Sequence, residues 1–320
     1  MRLLRGLYNP GPESGQCVAT IGNFDGVHRG HQAILSQLRQ QAGRLGLPAL
    51  VIIFEPQPLE FFHPDSAPPR LMSLREKYVE LSRQGIDYLF CLRFDHTLSG
   101  LSAVAFVQRI LVQHLGIRHL VVGDDFRFGD ARTGDFSLLR ELGEQYGFSV
   151  ENTHTIRADG SESSARFDRI SSTAIRHALA AADLVSATNL LGRPYRISGR
   201  VVPGAQLGRQ LGFPTANVAL RRRRVALQGV FLVRVQLASG TSHFGMANIG
   251  VKPTVDGRVA SLEVHLFDFS AALYGQHISV EFLNRVREER RFESLQALQQ
   301  QIARDVEAGR HLVATMSGAG

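Results

Sequence analysis

Two imidazoles, His28 and His31, stand three residues apart at the end of Gly22-Asn-Phe-Asp-Gly-Val-His-Arg-Gly-His31. On the first turn of a helix, side chains at i and i+3 share a face. A helix start also presents unpaired backbone N–H groups and a positive dipole end, which together favour a phosphate. Two histidines there can hydrogen-bond phosphoryl oxygens and stabilise charge developing on them. The alternative is that they face solvent or cap the preceding loop. Zinc is not indicated, because no cysteine lies nearby and the HExxH spacing is absent.

Other reactive types recur at places where a chain turns. Asp124-Asp-Phe-Arg-Phe128 follows the apolar run His119–Gly123. There Asp124 and Asp125 can order a substrate and Arg127 can meet phosphate, or the three can form an acidic turn with a surface ion pair. Phe126 and Phe128 read as packing residues or as walls for a flat ligand. Arg169-Ile-Ser-Ser-Thr-Ala-Ile-Arg176 offers hydroxyls at Ser171, Ser172 and Thr173 for N-capping, and Arg169 and Arg176 as phosphate clamps. Thr215 and Asn217, in Gly208-Arg-Gln-Leu-Gly-Phe-Pro-Thr-Ala-Asn217, can give two oxygens to Mg²⁺ or simply stabilise a turn. In Leu262–Phe269 the apolar Leu262, Val264 and Leu266 alternate with Glu263, His265 and Phe267. A carboxylate on a rigid strand can take a proton from an attacking alcohol, or it can face water or pair with an arginine.

The elements that must position these groups change character along the chain. Val18–Ile21, Ala49–Phe54, Gly85–Leu92 and His119–Gly123 read as strands, Gly147–Val150 begins another, and helical patterns cover Leu71–Arg83 and Ala103–Leu115. Strands alternating with helices predict a largely parallel sheet covered on both faces. From Gly192 onward short alternating strands and glycine turns replace that rhythm, at Gly229–Leu237, His243–Ile249, Ser261–Phe269 and His277–Phe282, which favours a compact antiparallel barrel. Leu295, Leu298, Ile302 and Val306 recur at helical spacing, and Gly309 reads as the stop.

Composition narrows the function classes. The 320 residues suit one large or two medium domains. Two cysteines, Cys17 and Cys91, give no disulfide framework and fit a reducing compartment. No apolar run is long enough to span a membrane or serve as a secretion signal, so the expectation is a cytoplasmic protein with no membrane partner. The formal charge is +7, and Lys77 and Lys252 are the only lysines. With no GxxxxGK[ST] loop, any ATP must be held by another cradle. The charge suits a polyphosphate substrate as well as nucleic acid; without a zinc finger or single-stranded-binding module, no nucleic-acid partner is expected.

Gly22–His31, Gly123–Gly129 and Arg169–Arg176, in this order, resemble the adenylyltransferase half of the bacterial bifunctional riboflavin kinase/FAD synthetases, a member of the HxGH nucleotidyltransferase superfamily. Gly208–Asn217, Gly245–Thr254, Glu263–Phe269 and Leu273-Tyr-Gly275 resemble the riboflavin kinase half. The resemblance implies a Rossmann-like α/β domain with a parallel sheet over 1–185, a six-stranded antiparallel β-barrel with a terminal helix over 186–308, and a tail at 309–320. It implies His28, His31 and Glu263 as catalytic, with Thr215 and Asn217 as metal or phosphate contacts. ATP and flavin would lie over Gly22, Asn23, Phe24, Asp25, Gly30, Asp125, Phe126, Arg127, Phe128, Arg169, Ser172, Thr173 and Arg176 in the first half. In the second they would meet Gly208, Arg209, Gly212 and Pro214, with Arg287 near the flavin end. Gln57 replaces a histidine common in such proteins, and Phe231 a tyrosine. The implied ligands are Mg²⁺ with ATP, and riboflavin, FMN and FAD, on a monomer or weak homo-oligomer.

Overall fold

The computed structural model describes residues 1–123, 126–153, 170–204, 206–222, 224–254 and 257–317, with the backbone alone at 252–254, 257–259 and 317. The chain forms two compact units, one of Met1–Pro68 with Leu74–Ser172, the other of Pro69–Ser73 with Thr173–Gly320.

The first unit is built on a sheet of β1 (Arg2–Arg5), β2 (Cys17–Ile21), β3 (Ala49–Glu55), β4 (Tyr88–Arg93), β5 (Ile117–Gly123) and β6 (Ser149–Thr153), ordered β1-β4-β3-β2-β5-β6. Every neighbouring pair is parallel. All five residues of β2 are buried, as a central strand covered on both faces requires. The chain winds from β2 toward β3 and β4 on one side and returns to β5 and β6 on the other. The crevice beyond the carboxyl ends of β2 and β5 is therefore the switch point where open α/β sheets take ligands. The connections carry α1 (Arg29–Leu45), α2 (Pro58–Phe62), α3 (Leu74–Arg83), α4 (His96–Ser99), α5 (Ala103–Phe106) and α6 (Phe136–Tyr146).

Two helices depart from expectation. The pattern over 71–83 becomes a helix only at Leu74. Leu71 is fully buried in the core of the second unit, and its carbonyl accepts from Arg222 Nη1 at 3.1 Å and the Tyr195 hydroxyl at 3.4 Å. A carbonyl engaged in this way is not available to a helical ladder. The helix expected over 103–115 starts as α5, capped by Ser102 Oγ, and widens to π-helix over Val107–His114.

In the second unit α7 (Ser172–Ala180; its first residue groups with the first unit) and α8 (Leu184–Leu191) pack Ile175, Leu179, Leu184 and Leu191 into one core with the barrel interior. The barrel comprises β7 (Arg196–Val202), β8 (Ala216–Val218), β9 (Gly229–Gln236), β10 (Ser242–Thr254), β11 (Gly257–Leu266) and β12 (His277–Arg287), closed in the order β10-β11-β8-β7-β12-β9. All described pairings are antiparallel, and α9 (Leu207–Gln210) precedes β8. Residue 185 falls inside α8.

The final helix, α10 (Leu295–Ser317), corrects a further expectation, because it runs straight through Gly309. A Cβ at 309 would lie 2.5 Å from Met246 Sδ and 3.0 Å from Phe267. Glycine stands there to let the helix approach the barrel wall, at some cost in helix propensity, and does not end it. Val230, Leu232, Met246 and Phe267 form the wall, with Val306, Leu312 and Val313 packed on it.

Candidate active sites

In the first unit the reactive loop leaves β2 at Gly22, whose N–H donates to Ile52 O at 3.1 Å. Phe24 (φ 46°), Gly26 (φ 92°) and Val27 (φ 41°) all adopt left-handed backbone. For a β-branched residue such as Val27 this conformation is strained and must be imposed by its surroundings. Phe24 and Val27 are both buried, Gln32 Nε2 donates to Val27 O at 2.9 Å, and Ser172 Oγ donates to Asp25 O at 2.8 Å. Asp25 is buried as well, whereas Asn23 is exposed.

His28 is the N-cap of α1, and its Nδ1 accepts from the His31 backbone N–H at 3.2 Å. An imidazole that accepts at Nδ1 carries its proton on Nε2 when neutral. The His28 and His31 rings stack with centroids 3.6 Å apart, and Phe24 lies 4.8 Å from the His31 ring. A Cβ at Gly30 would come within 3.2 Å of His28 Nδ1 and 3.4 Å of Ile170 O, so glycine there leaves the ring its place.

The far side of α1 is also tied down. Gln37 donates to Glu151 on β6, Gln41 does so at 2.8 Å, and His119 Nε2 lies 3.2 Å from the same carboxylate. Burial pushes the Glu151 pKa up, but these hydrogen bonds outweigh it and hold the carboxyl below its usual range.

Around this loop, Phe128 is buried and Phe126 stacks on it at 5.6 Å, both within the sheet's aromatic core, while Arg127 is exposed and donates to Phe126 O at 3.1 Å. Thr173 and Arg176 group with the second unit, where Arg176 Nε donates to Pro69 O at 2.7 Å. Asp124, Asp125 and Arg169 lie outside the described residues. Gln57 starts α2, with its N–H donating to Glu60 Oε2 at 3.0 Å.

In the second unit the polar groups stand on the outside of the barrel. Leu262, Val264 and Leu266 face the core, which puts Glu263 and His265 on the outer face, as the alternation predicts. Register then aligns residues far apart in sequence: Glu263 pairs with Asn217 on β8 and with Asn248 on β10. Asn248 pairs in turn with Val230 on β9, and Val230 with Arg287 on β12. Directly opposed residues place their Cβ atoms about 5 Å apart, so Glu263 stands between two amides.

The turn before β8 is fitted to this row. His265 Nδ1 lies 2.9 Å from Pro214 O, and Phe213 packs edge-on to the His265 ring at 5.6 Å. A Cβ at Gly204 would sit 2.2 Å from the Asn217 side-chain amide, and one at Gly208 would sit 2.5 Å from Phe213 O and 3.2 Å from Thr215 Oγ1. Two glycines thus make room for the two residues with magnesium-type oxygens. Their neutral hard donors suit an ion whose remaining ligands are phosphates and water.

Gly212 takes φ 87°, and Arg209 is exposed. The Arg287 guanidinium is held by Asp305 of α10, at 3.0 Å from Nε and 2.8 Å from Nη2, and lies 5.6 Å over Phe292. Phe231 is fully buried and packs edge-on to Phe282 at 5.5 Å, an apolar setting with no call for a hydroxyl. Asn248, His265 and Gly204 were not singled out by sequence reasoning. Pairing register, which brings Asn248 beside Glu263, is not readable from local pattern.

Comparison with known proteins matches the sequence model of FAD synthetase over residues 11–172 and that of riboflavin kinase over 191–313. A bifunctional riboflavin kinase/FMN adenylyltransferase of Pseudomonas fluorescens is 55% identical over 316 residues, covering 98% of each chain. Those of Escherichia coli K12 and Haemophilus influenzae are 50% and 47% identical, covering 95% and 97% of this chain and 96% and 98% of theirs. A crystal structure described as a macrolide-efflux protein from Streptococcus pneumoniae superposes with a TM-score of 0.77 at 29% identity, over 97% of this chain and 99% of that one. No helix among the described residues is long and apolar enough to cross a membrane.

Proposed function

Since the chain belongs to the bacterial bifunctional riboflavin kinase/FMN adenylyltransferase family, and so is an enzyme that converts riboflavin to FMN and FMN to FAD with ATP, we propose how its own residues divide the two reactions. The observation that carries the division is that His28 and His31 stand in one compact unit and Glu263 in the other. The adenylyltransferase domain takes residues 1–185 and the kinase domain 186–308, and the stretch proposed as a tail from 309 begins inside α10, with Leu312 and Val313 on the barrel wall.

In the kinase reaction the Glu263 carboxylate takes the proton of the ribityl 5′-hydroxyl, whose oxygen attacks the γ-phosphorus of ATP; ADP leaves. Thr215 and Asn217 would hold Mg²⁺, which when bound neutralises charge on the ATP phosphates. Gly208, Arg209, Gly212 and Pro214 shape the turn that borders the nucleotide. Arg287 is assigned to the flavin end through the segment it anchors.

In the adenylyl transfer an oxygen of the FMN phosphate attacks the α-phosphorus of a second ATP, and pyrophosphate leaves. A phosphate monoester is already largely ionised near neutral pH, with a second pKa of about 6, so no strong base is needed. The Nε2–H of His28 and the ring of His31 donate to phosphoryl oxygens as charge builds on them, beside backbone N–H groups at the start of α1. Gly22, Asn23, Phe24, Asp25 and Gly30 form the cradle for that ATP, with Asp125, Phe126, Arg127, Phe128, Arg169, Ser172, Thr173 and Arg176 completing the nucleotide and flavin contacts. We place the enzyme in the cytoplasm as a monomer or weak homo-oligomer acting on small molecules, with neither nucleic acid nor membrane as partner.

The test is a time course with riboflavin, ATP and Mg²⁺ in which FMN, FAD, ADP and pyrophosphate are resolved. His31→Ala should leave FMN formation intact and lower FAD formation by about a hundredfold or more. Glu263→Ala should abolish FMN formation yet still make FAD from supplied FMN. Equal loss of both activities in folded variants would refute the division.

A further inference from the structure

The kinase site contains an acceptor that the mechanism above leaves unused. Asn248 sits on the outer face of β10 as the direct register partner of Glu263, opposite the side on which Asn217 flanks the same residue. Its Oδ1 is excluded from solvent and has no hydrogen-bond partner among the described residues. Buried amide oxygens are almost always satisfied, and an orphan beside a reactive group calls for an explanation.

Its described neighbours along the same face of β10 supply no donor. Met246, two residues back, is packed under α10, and Gly250, two residues on, has the Glu289 carboxylate within 2.0 Å of where a Cβ would stand. A carboxylate and a thioether are acceptors. A donor that arrives with the ligand would satisfy the Asn248 oxygen.

Resting on the assignment of Glu263 as the base for the 5′-hydroxyl, we propose that Asn248 Oδ1 accepts a hydrogen bond from a second ribityl hydroxyl, making Asn248 a specificity residue for the polyol chain. Opposed side chains on adjacent strands stand about 5 Å apart. That separation fits hydroxyls one or two carbons from the 5′ position, so the relevant group is the 4′- or 3′-hydroxyl. The carboxylate and the amide oxygen then read adjacent parts of the same chain, and an isoalloxazine lacking the polyol meets neither.

The experiment compares riboflavin with its 3′-deoxy and 4′-deoxy analogues as substrates for FMN-type product formation, in the full-length protein and in two variants. The wild-type enzyme should lose about tenfold in kcat/KM with one of the two analogues. Asn248→Ala should lose about tenfold with riboflavin yet treat riboflavin and that analogue alike. Asn248→Asp, which keeps an acceptor of the same shape, should retain the preference whatever its absolute rate. FAD formation from supplied FMN reports separately that the first unit is intact.

A discrimination in Asn248→Ala as large as in the wild type would overturn the inference, since a merely structural amide changes both substrates equally. So would wild-type indifference to both analogues. Glu263→Gln separates the two levels of the argument. If it leaves FMN formation untouched, the base assignment falls and this inference with it; if it abolishes FMN formation while Asn248 shows no coupling to either hydroxyl, only the inference falls.

Discussion

The two units hold phosphate chemistry in opposite ways. In the first, a strained loop at a strand end delivers side chains to a helix start: Phe24 and Val27 adopt left-handed backbone, and His28 caps α1. Its two histidines and the loop that carries them lie within ten positions of one another, so local sequence nearly specifies that part of the proposed site. In the second, Asn217, Glu263 and Asn248 come from three strands and meet only because barrel closure sets their register. A local motif stores its precision in backbone strain; a register-built site stores it in the ladder of the whole sheet.

Glycine substitutions sharpen that contrast most. Gly204→Ala would drive a methyl into the Asn217 amide, which stands 2.2 Å away. A displacement on that scale should cost about a hundredfold in FMN formation, leaving FAD formation from FMN unchanged. At Gly30 the nearest atom is the His28 ring at 3.2 Å, which needs to give only slightly. Gly30→Ala should therefore reduce FAD formation by about tenfold and spare the kinase. Paired assays of the two half-reactions check both, and a larger effect at 30 than at 204 would reverse the comparison.

The next effect concerns stability. Asp305 is 5% exposed and takes three hydrogen bonds from Arg287 and one from Gln301. Asp305→Ala leaves a part-buried guanidinium without its carboxylate partner and should destabilise the second unit by about 3 kcal/mol. Denaturant unfolding read by far-UV circular dichroism, with kinase activity followed alongside, should show loss of the second unit first.

A smaller effect distinguishes the first unit by its pH dependence. Burial lowers the pKa of His114, whose Nε2 is buried with no partner among the described residues and whose ring stacks on Phe90 at 5.3 Å. With the folded pKa below the unfolded value of about 6.5, the unfolded chain takes up its proton first as pH falls. Stability is full above that value and declines as pH drops from it toward the folded pKa. His114→Phe should flatten this slope in the first unit's thermal unfolding and leave the second unit's curve unchanged.

The slightest expected signal is chemical. Burial pushes the Cys17 thiol up to about 12, and both cysteines are buried in the first unit. Neither should react with a thiol reagent at neutral pH until that unit unfolds.

Much of this architecture was legible from pattern. The alternation of apolar runs and helices gave the parallel sheet, and the period of two through Leu262–Leu266 put Glu263 outward before any strand pairing was known. What escaped was decided by distant partners. Leu71 resembles a helical residue until Arg222 and Tyr195 claim its carbonyl. Nothing local in Val107–His114 announces a π-helix. Asn248 is an ordinary polar position until register sets it against Glu263.

Gly309 reads like punctuation, yet α10 runs through it pressed close against the barrel wall. A shortened chain ending just before it would remove Leu312 and Val313 from the wall against which they pack. The glycine is better thought of as a bearing than as a full stop: the shaft passes through it, and trimming there would take away the half that keeps the first half seated.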